Sequence, residues 1–410
     1  MINKRTENIK INCTKIFCLH ISIILLLLSV NIFAQTPPAK RKLAICNAYA
    51  IYPDDVNIFT KLPTAQQIAT KMKVGWNLGN TMEAICGETA WGGAITTQRL
   101  IDSVKAAGFN SVRIPCVWFC HSDTVNSVID KAWINRVKQV VDYCIKDSLY
   151  VVLNMHWDNG WLENRINKLN QKEVNERVKK YWAQIASQFK DYDEHLLFAG
   201  ANEPDVKDTI GMGVLLSYYQ TFINTVRTTG GNNSSRTLII QVPGTDIDNT
   251  DKWMNNLPID NIKNRLMIEV HYYSPYQFCL MDNDATWGKK FFYWGKNFHS
   301  ATDTSYNATW GEEKSMEEKF ELMKRKFTDK GIPVIIGEFG AYKRKLPKGS
   351  DQKLHEASVE YFQTYLVKTA ISKGLVPFYW DVNWGLFNRR TGKILDNGIL
   401  KAIMQGANEK

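Results

Sequence analysis

Eight short apolar runs of strand character, separated by amphipathic stretches of helical period, constrain this 410-residue chain more than any other feature. The runs are 74–80, 111–116, 150–157, 196–202, 237–243, 266–273, 333–339 and 375–381, and helical text lies at 96–107, 132–146, 172–189, 214–228, 316–330 and 351–373. Val, Ile and Leu dominate the runs, as strands covered on both faces require. Gly108 and Gly374 stand just past two of the expected helix ends, where a left-handed cap is wanted. Eight strands in near-regular alternation predict a single (β/α)8 TIM barrel over residues 61–410. A doubly wound nucleotide fold has no support, because neither a Gly-rich phosphate turn nor a Walker sequence occurs.

The N-terminus reads as a processing signal over residues 1–34. Lys4, Arg5, Lys10 and Lys15 precede the apolar run Ile21–Val30, and small Ala34 offers a cleavage point, although an uncleaved anchor is the alternative. Residues 35–60, with Pro37, Pro38 and Pro53, read as an irregular lead-in. Removing the leader takes four bases and one acid from a formal charge of +10, leaving a scattered +7 without a dense basic run. The charge therefore serves solubility, and nucleic acid is not an expected partner. A secreted or periplasmic protein, off the membrane after cleavage and monomeric by default, is expected. Cys46, Cys86, Cys116, Cys120, Cys144 and Cys279 survive cleavage. Secretion permits disulfides among them, buried thiols serve a barrel of this size equally well, and their spacing is not metal-like.

The C-terminal ends of the runs collect the polar groups. They supply Trp76 and Asn77, then Arg113, His156 and Trp157, then Asn202 and Glu203, and finally His271, Tyr273, Glu338, Trp380 and Asp381. In a parallel barrel that end is where catalytic groups gather. Glu203 and Glu338 lie 135 positions apart, each closing an apolar run just before a chain-breaking residue. One such glutamate is often a helix cap. Two at one mouth match the carboxylate pair that acid/base cleavage of a glycosidic bond requires. Glu338 suits the nucleophile if Arg113 and a tyrosine hydroxyl hold it charged. Glu203 would stay protonated beside that charge, with its pKa raised, and His271 would assist proton exchange. Zinc ligation by His156 and His271 lacks a supporting spacing, and neither metal nor cofactor is expected. Thirteen tryptophans suit a sugar cleft, since C–H faces of sugars stack on indoles. Trp380, Trp157, Trp76, Trp118 and Trp287 are the candidates for substrate contact together with Asn77, and core filling is the alternative for any one tryptophan.

Five motifs in this order carry a resemblance: Gly75–Asn80 (GWNLGN), Val112–Pro115 (VRIP), Asn202–Pro204 (NEP), His271–Pro275 (HYYSP) and Ile336–Gly340 (IGEFG). With them the chain resembles glycoside hydrolase family five, nearest its bacterial endo-β-1,4-glucanase branch, from about Val74 to Met404. The resemblance implies acid/base Glu203, nucleophile Glu338, retention of anomeric configuration, and support from Arg113, His156, Asn202, His271, Tyr273 and Trp380. It also implies that Asn202 binds the 2-hydroxyl of the cleaved sugar. Many relatives carry a second histidine after the one matching His156, where this chain has Trp157-Asp158, so contacts beyond the cleaved unit differ. No second domain is read after the barrel, which favours soluble or amorphous β-glucan over crystalline cellulose. The expected partner is thus a β-1,4-linked or mixed-linkage glucan. Xyloglucan, mannan or xylan would suit the same chemistry, and a silent glycan-binding protein is the reading from another class.

Overall fold

The computed structural model describes residues 62–409, so the expected leader and lead-in lie outside the described residues. Eight parallel strands close into a barrel: β1 (Gly75–Leu78), β2 (Ser111–Ile114), β3 (Tyr150–Asn154), β4 (Leu196–Ala199), β5 (Leu238–Gln241), β6 (Leu266–Tyr272), β7 (Val334–Phe339) and β8 (Leu375–Asp381). Each pairs with its successor, and β8 closes on β1 with Gly75 opposite Phe378. Every barrel strand lies within one of the expected runs; a short antiparallel pair, Ser122–Asp123 with Val128–Ile129, lies outside them.

The helices are α1 (Ala65–Lys71), α2 (Gln98–Ala106), α3 (Lys131–Lys146), α4 (Gln171–Gln188), α5 (Thr209–Thr228), α6 (Ile247–Trp253), α7 (Tyr276–Cys279), α8 (Glu313–Lys326), α9 (Gln352–Ser372) and α10 (Asn397–Asn408). Their registers follow the apolar period. In α3, for example, Trp133, Val137, Val140, Val141 and Cys144 form the buried stripe. Gly108 and Gly374 both take positive φ beyond their helices, as the left-handed cap requires. Four of these helices were not anticipated. Helices α1 and α7 are too short for a period to show, α10 carries two glycines, and α6 is built on the acidic run 246–251. Asp246 caps α6 by accepting from the Asn249 amide at 2.7 Å.

Two apolar cores flank the strands. The outer one lies between barrel and helices. The inner one plugs the lower end of the barrel, where Val152, Leu197, Ala199, Ile239, Met267, Ile335, Val376 and Phe378 meet Ala65, Ile68 and Ala69 of α1. Strand side chains alternate, so the next inward position is two residues on. There the interior turns polar, with Asn77, Arg113, Asn154, Gln241 and Glu269 all inaccessible to solvent. Among the described residues no helix is long and apolar enough to cross a membrane. Among the described residues Cys86, Cys116, Cys120, Cys144 and Cys279 form no disulfide with one another, and three of them are buried.

Candidate active site

Alternation by itself would turn Glu338 outward, because Ile335 faces the inner core and Ile336 the outer one. The ladder shifts here. Val270 pairs with Ile336 and His271 with Glu338, which leaves Gly337 without a partner on β6. This bulge re-aims Glu338 into the barrel. Gly337 is required at that point, since a Cβ would sit 2.0 Å from Glu269 Oε1.

Arg113 organises what gathers at the mouth. Its Nε lies 2.8 Å from Glu269 Oε1, its first terminal nitrogen donates to Glu338 Oε1 at 2.9 Å and Asn77 Oδ1 at 3.1 Å, and its second donates to Asn202 Oδ1 at 2.9 Å. The Tyr273 hydroxyl donates to Glu338 Oε2 at 3.1 Å. His271 Nδ1 lies 2.7 Å from Glu203 Oε1 and 3.6 Å from Glu338 Oε2, while Nε2 lies 3.2 Å from Glu269 Oε1. A carboxylate oxygen of Glu203, one of Glu338 and a ring nitrogen of His271 all fall within 4.8 Å of one another.

Three carboxylates thus share two cationic groups, and their proton affinities follow. Burial by itself would strip His271 of its second proton, but Glu338, Glu203 and Glu269 push its pKa up to about 10, so the ring is an imidazolium at neutral pH. Burial works against the charge of Glu269 and Glu203 too. For Glu269, Arg113 and His271 outweigh it, and for Glu203 the hydrogen bond and charge of His271 outweigh it, so both lie below the usual range. Burial raises Glu338, against the pull of His271 and Arg113. The expectation of a raised pKa on Glu203 is therefore reversed, and the proton rests on His271. These three side chains have the donor atoms a metal would need. Both nitrogens of His271 already face carboxylates, however, so this donor set is arranged to hold protons rather than to lend lone pairs.

The structure brings Glu203, Glu338, Arg113, Asn202, His271 and Tyr273 into one cluster. His156 stands beside it, its ring stacked on Trp380 at 5.9 Å and 13°, and burial holds it neutral. Trp380 lines a cavity of about 460 Å³ with Tyr273 and Tyr342. Trp157 and Trp287 are solvent-exposed, the latter tilted against Tyr276. Three expected substrate contacts need correction. Trp76 and Trp118 are fully buried in the outer core, their indole N–H groups donating to Asp381 Oδ2 at 3.0 Å and the Asn154 carbonyl at 3.2 Å. Neither offers a ring to a ligand. Asn77 spends its amide on the carbonyls of Gly337, Phe378 and Tyr379 and its oxygen on Arg113, so it buttresses the cluster from below. At the Trp157-Asp158 departure, Asp158 is buried and accepts from the amides of Trp118 and Phe119 at 2.9 and 2.7 Å, tying two mouth loops together.

Sequence reasoning passed over Glu269, Gln241, Glu163, Tyr276 and Trp310. Glu269 had a readable signal, a charge within a buried strand on the same face as His271. Tyr276 and Trp310 line a cavity of about 300 Å³ beside Glu203, together with Thr245 and Asp246. Cavities therefore flank the carboxylate pair on two sides, as a chain-like ligand crossing the mouth would need.

Comparison with known proteins agrees with this geometry. Residues 69–385 match the family model Cellulase (glycosyl hydrolase family 5). A xyloglucan-specific endo-β-1,4-glucanase of Bacteroides ovatus is 36% identical over 389 residues, covering 90% of this chain and 75% of its own. Endoglucanase A of Paenibacillus barcinonensis is 36% identical over 380 residues, with coverages of 84% and 90%. The solved structure of a xyloglucan-specific β-1,4-glucanase from a ruminal metagenomic library, in complex with XXLG, is 42% identical. It superimposes with a TM-score of 0.77 over 84% of this chain and 96% of its own.

Proposed function

The chain belongs to glycosyl hydrolase family 5, a glycoside hydrolase, and from that premise we propose that it is a retaining endo-β-1,4-glucanase with Glu203 as acid/base and Glu338 as nucleophile. The observation that carries this reading is the proximity of the two carboxylates, with oxygens within 4.8 Å. Double displacement needs carboxyl groups about 5–5.5 Å apart, whereas inversion needs about 6.5–9.5 Å to admit a water.

Glu338 attacks the anomeric carbon while Arg113 and Tyr273, one on each oxygen, fix its direction. As the glycosidic oxygen approaches Glu203, the proton crosses the 2.7 Å from His271 Nδ1 to Glu203 Oε1 and passes on to the leaving group. The neutral His271 then takes back a proton when Glu203, as base, activates the water that releases the glycosyl-enzyme. Arg113 occupies Asn202 Oδ1, which leaves the Asn202 amide N–H groups for the 2-hydroxyl of the cleaved sugar. Trp380 supplies the stacking face on one side, and Tyr276 with Trp310 supplies aromatic surface on the other.

A plain or mixed-linkage β-1,4-glucan is the first substrate reading. Xyloglucan is the second, favoured because two of the three relatives described above carry xyloglucan in their names. Export through the leader of residues 1–34 and a monomeric state belong to the same proposal. The test is reducing-sugar release from carboxymethyl-cellulose, mixed-linkage glucan, xyloglucan, mannan and xylan, with Glu203→Gln as control. Release from the glucans, lost in the control, is expected. Strong preference for mannan or xylan would overturn the substrate assignment, and undiminished release by the control would overturn the acid/base assignment.

A further inference from the structure

Strand β4 ends at Ala199, and the chain must then turn outward to present Asn202 and Glu203 before Pro204. Leaving the ladder deprives the amides of residues 201–203 of strand carbonyls, and buried N–H groups need other acceptors. Side chains provide them. Gln241 Oε1 accepts from Ala201 N at 2.9 Å. Glu163 Oε1 accepts from both Asn202 N at 3.0 Å and Glu203 N at 2.7 Å. Two successive amides converging on one oxygen form the concave nest that binds anions elsewhere. Glu163 lies on the short turn Glu163–Arg165 after β3 and is buried. Its own carbonyl accepts from Asp205 N at 3.2 Å, so it grips the segment on both sides of the Glu203-Pro204 step.

We propose that Glu163 is a positioning residue for the reaction: its carboxylate fixes the main chain under Glu203 and thereby sets the reach of the proton donor. This rests on the reading of Glu203 as acid/base. The anchor needs an acceptor oxygen rather than a charge, since burial favours the protonated acid and its carbonyl oxygen still accepts both amides. Burial pushes the pKa of Glu163 up to about 8, and the charge of Glu203 adds to that rise, while the two amides and His271 oppose it. Tyr219, on α5, also feels the charge of Glu163. Glu163 therefore shares an electrostatic environment with the group it holds.

Leaving-group dependence tests this. Cleavage of an unactivated cello-oligosaccharide needs proton donation. A 2,4-dinitrophenyl β-cellobioside does not, because its leaving group departs as a stable anion. Glu163→Ala should lower kcat/KM on the cello-oligosaccharide by about 100-fold, the penalty for about 1 Å of misplacement, and spare the aryl substrate to within about fivefold. Glu163→Gln keeps an acceptor oxygen in the nest and should retain kcat/KM within about fivefold on both. Glu163→Asp withdraws the oxygen by one methylene and should show a smaller loss on the cello-oligosaccharide alone, which keeps the test decisive if the alanine variant fails to fold. Equal losses on both substrates, or no loss on either, would overturn the proposal. Glu203→Ala separates the two levels: if it too fails to discriminate between the substrates, the acid/base assignment falls, whereas discrimination by Glu203→Ala alone removes only the role of Glu163.

Discussion

At its lower end the barrel interior holds Val152, Ile239, Met267 and Leu197, and two residues further along three of those strands it holds Asn154, Gln241 and Glu269. Both layers are inaccessible to solvent. The lower one is stabilised by area removed from water and by packing, and it tolerates any set of side chains that fills the space. The upper one gains nothing from burial itself. It persists because each charge has a partner within about 3 Å of it, and with the exposed Glu203 at its rim it carries one more carboxylate than it has cations. Adjacent layers of one barrel can thus be selected for different ends, the lower for holding the strands together and the upper for holding protons and charge in place.

The largest expected effect tests the upper layer alone. Glu338→Ala should reduce kcat by about 10⁴-fold or more and leave Tm within a few degrees, since it removes the excess negative charge. Stopped assays and calorimetry check this, and a Tm drop as large as that of a core truncation would erase the distinction between the layers. Arg113→Met should fail on both counts, losing activity and about 3–5 kcal/mol of stability, because buried Glu269 and Glu338 would lose the cation they share and keep only His271. Denaturant unfolding measures the second loss. Leu197→Ala is the mirror case. It should cost about 2–5 kcal/mol through the cavity it leaves and keep kcat/KM at 25 °C within about twofold.

The smallest effect is the pH dependence of stability. Glu163, Glu83 and Asp158 rise to about 8, 7 and 6, chiefly through burial. The folded protein therefore keeps protons that the unfolded chain releases, and stability falls as pH rises from the ordinary carboxylate range to about 8. His271 contributes fully below its ordinary value of 6.5, and that contribution is lost as pH rises through about 10. Glu203 and Glu269 lie below 4.5 and act in the opposite sense, losing their contribution only at acid pH. His156, His121 and His355, whose pKa values burial lowers, oppose this below 6.5, so Tm should fall between pH 7 and 9, and Glu163→Gln should flatten the part between 7 and 8. A Tm that rises over that interval would contradict the burial of these carboxylates.

Legibility in the sequence followed the same division. Glu203 and Glu338 stood out because two carboxylates that end apolar runs at one barrel mouth are hard to explain as helix caps. Arg113, His271 and Tyr273 were found by asking what else reaches that end of the strands. Glu269 was hidden inside the run 266–273, where one acidic letter does not disturb an apolar pattern. Glu163 lies in a loop with no pattern at all, and its role exists only because the main chain at 202–203 passes beside it. Trp76 and Trp118 look identical to Trp380 in sequence, since an indole at a strand end serves core and cleft equally well.

By itself the sequence determined the eightfold alternation, the parallel barrel and the identity of the residues at its mouth. Those depend on periodicity and chain breaking, which act over a few neighbouring residues. The tertiary structure decided which way each of those residues points, through the bulge at Gly337, and where the proton rests, on His271 rather than Glu203. Both are settled by distances of a few ångströms between groups hundreds of positions apart in the chain, such as Arg113 and Glu338 at 225. Out of water, those distances govern the energy of a charge.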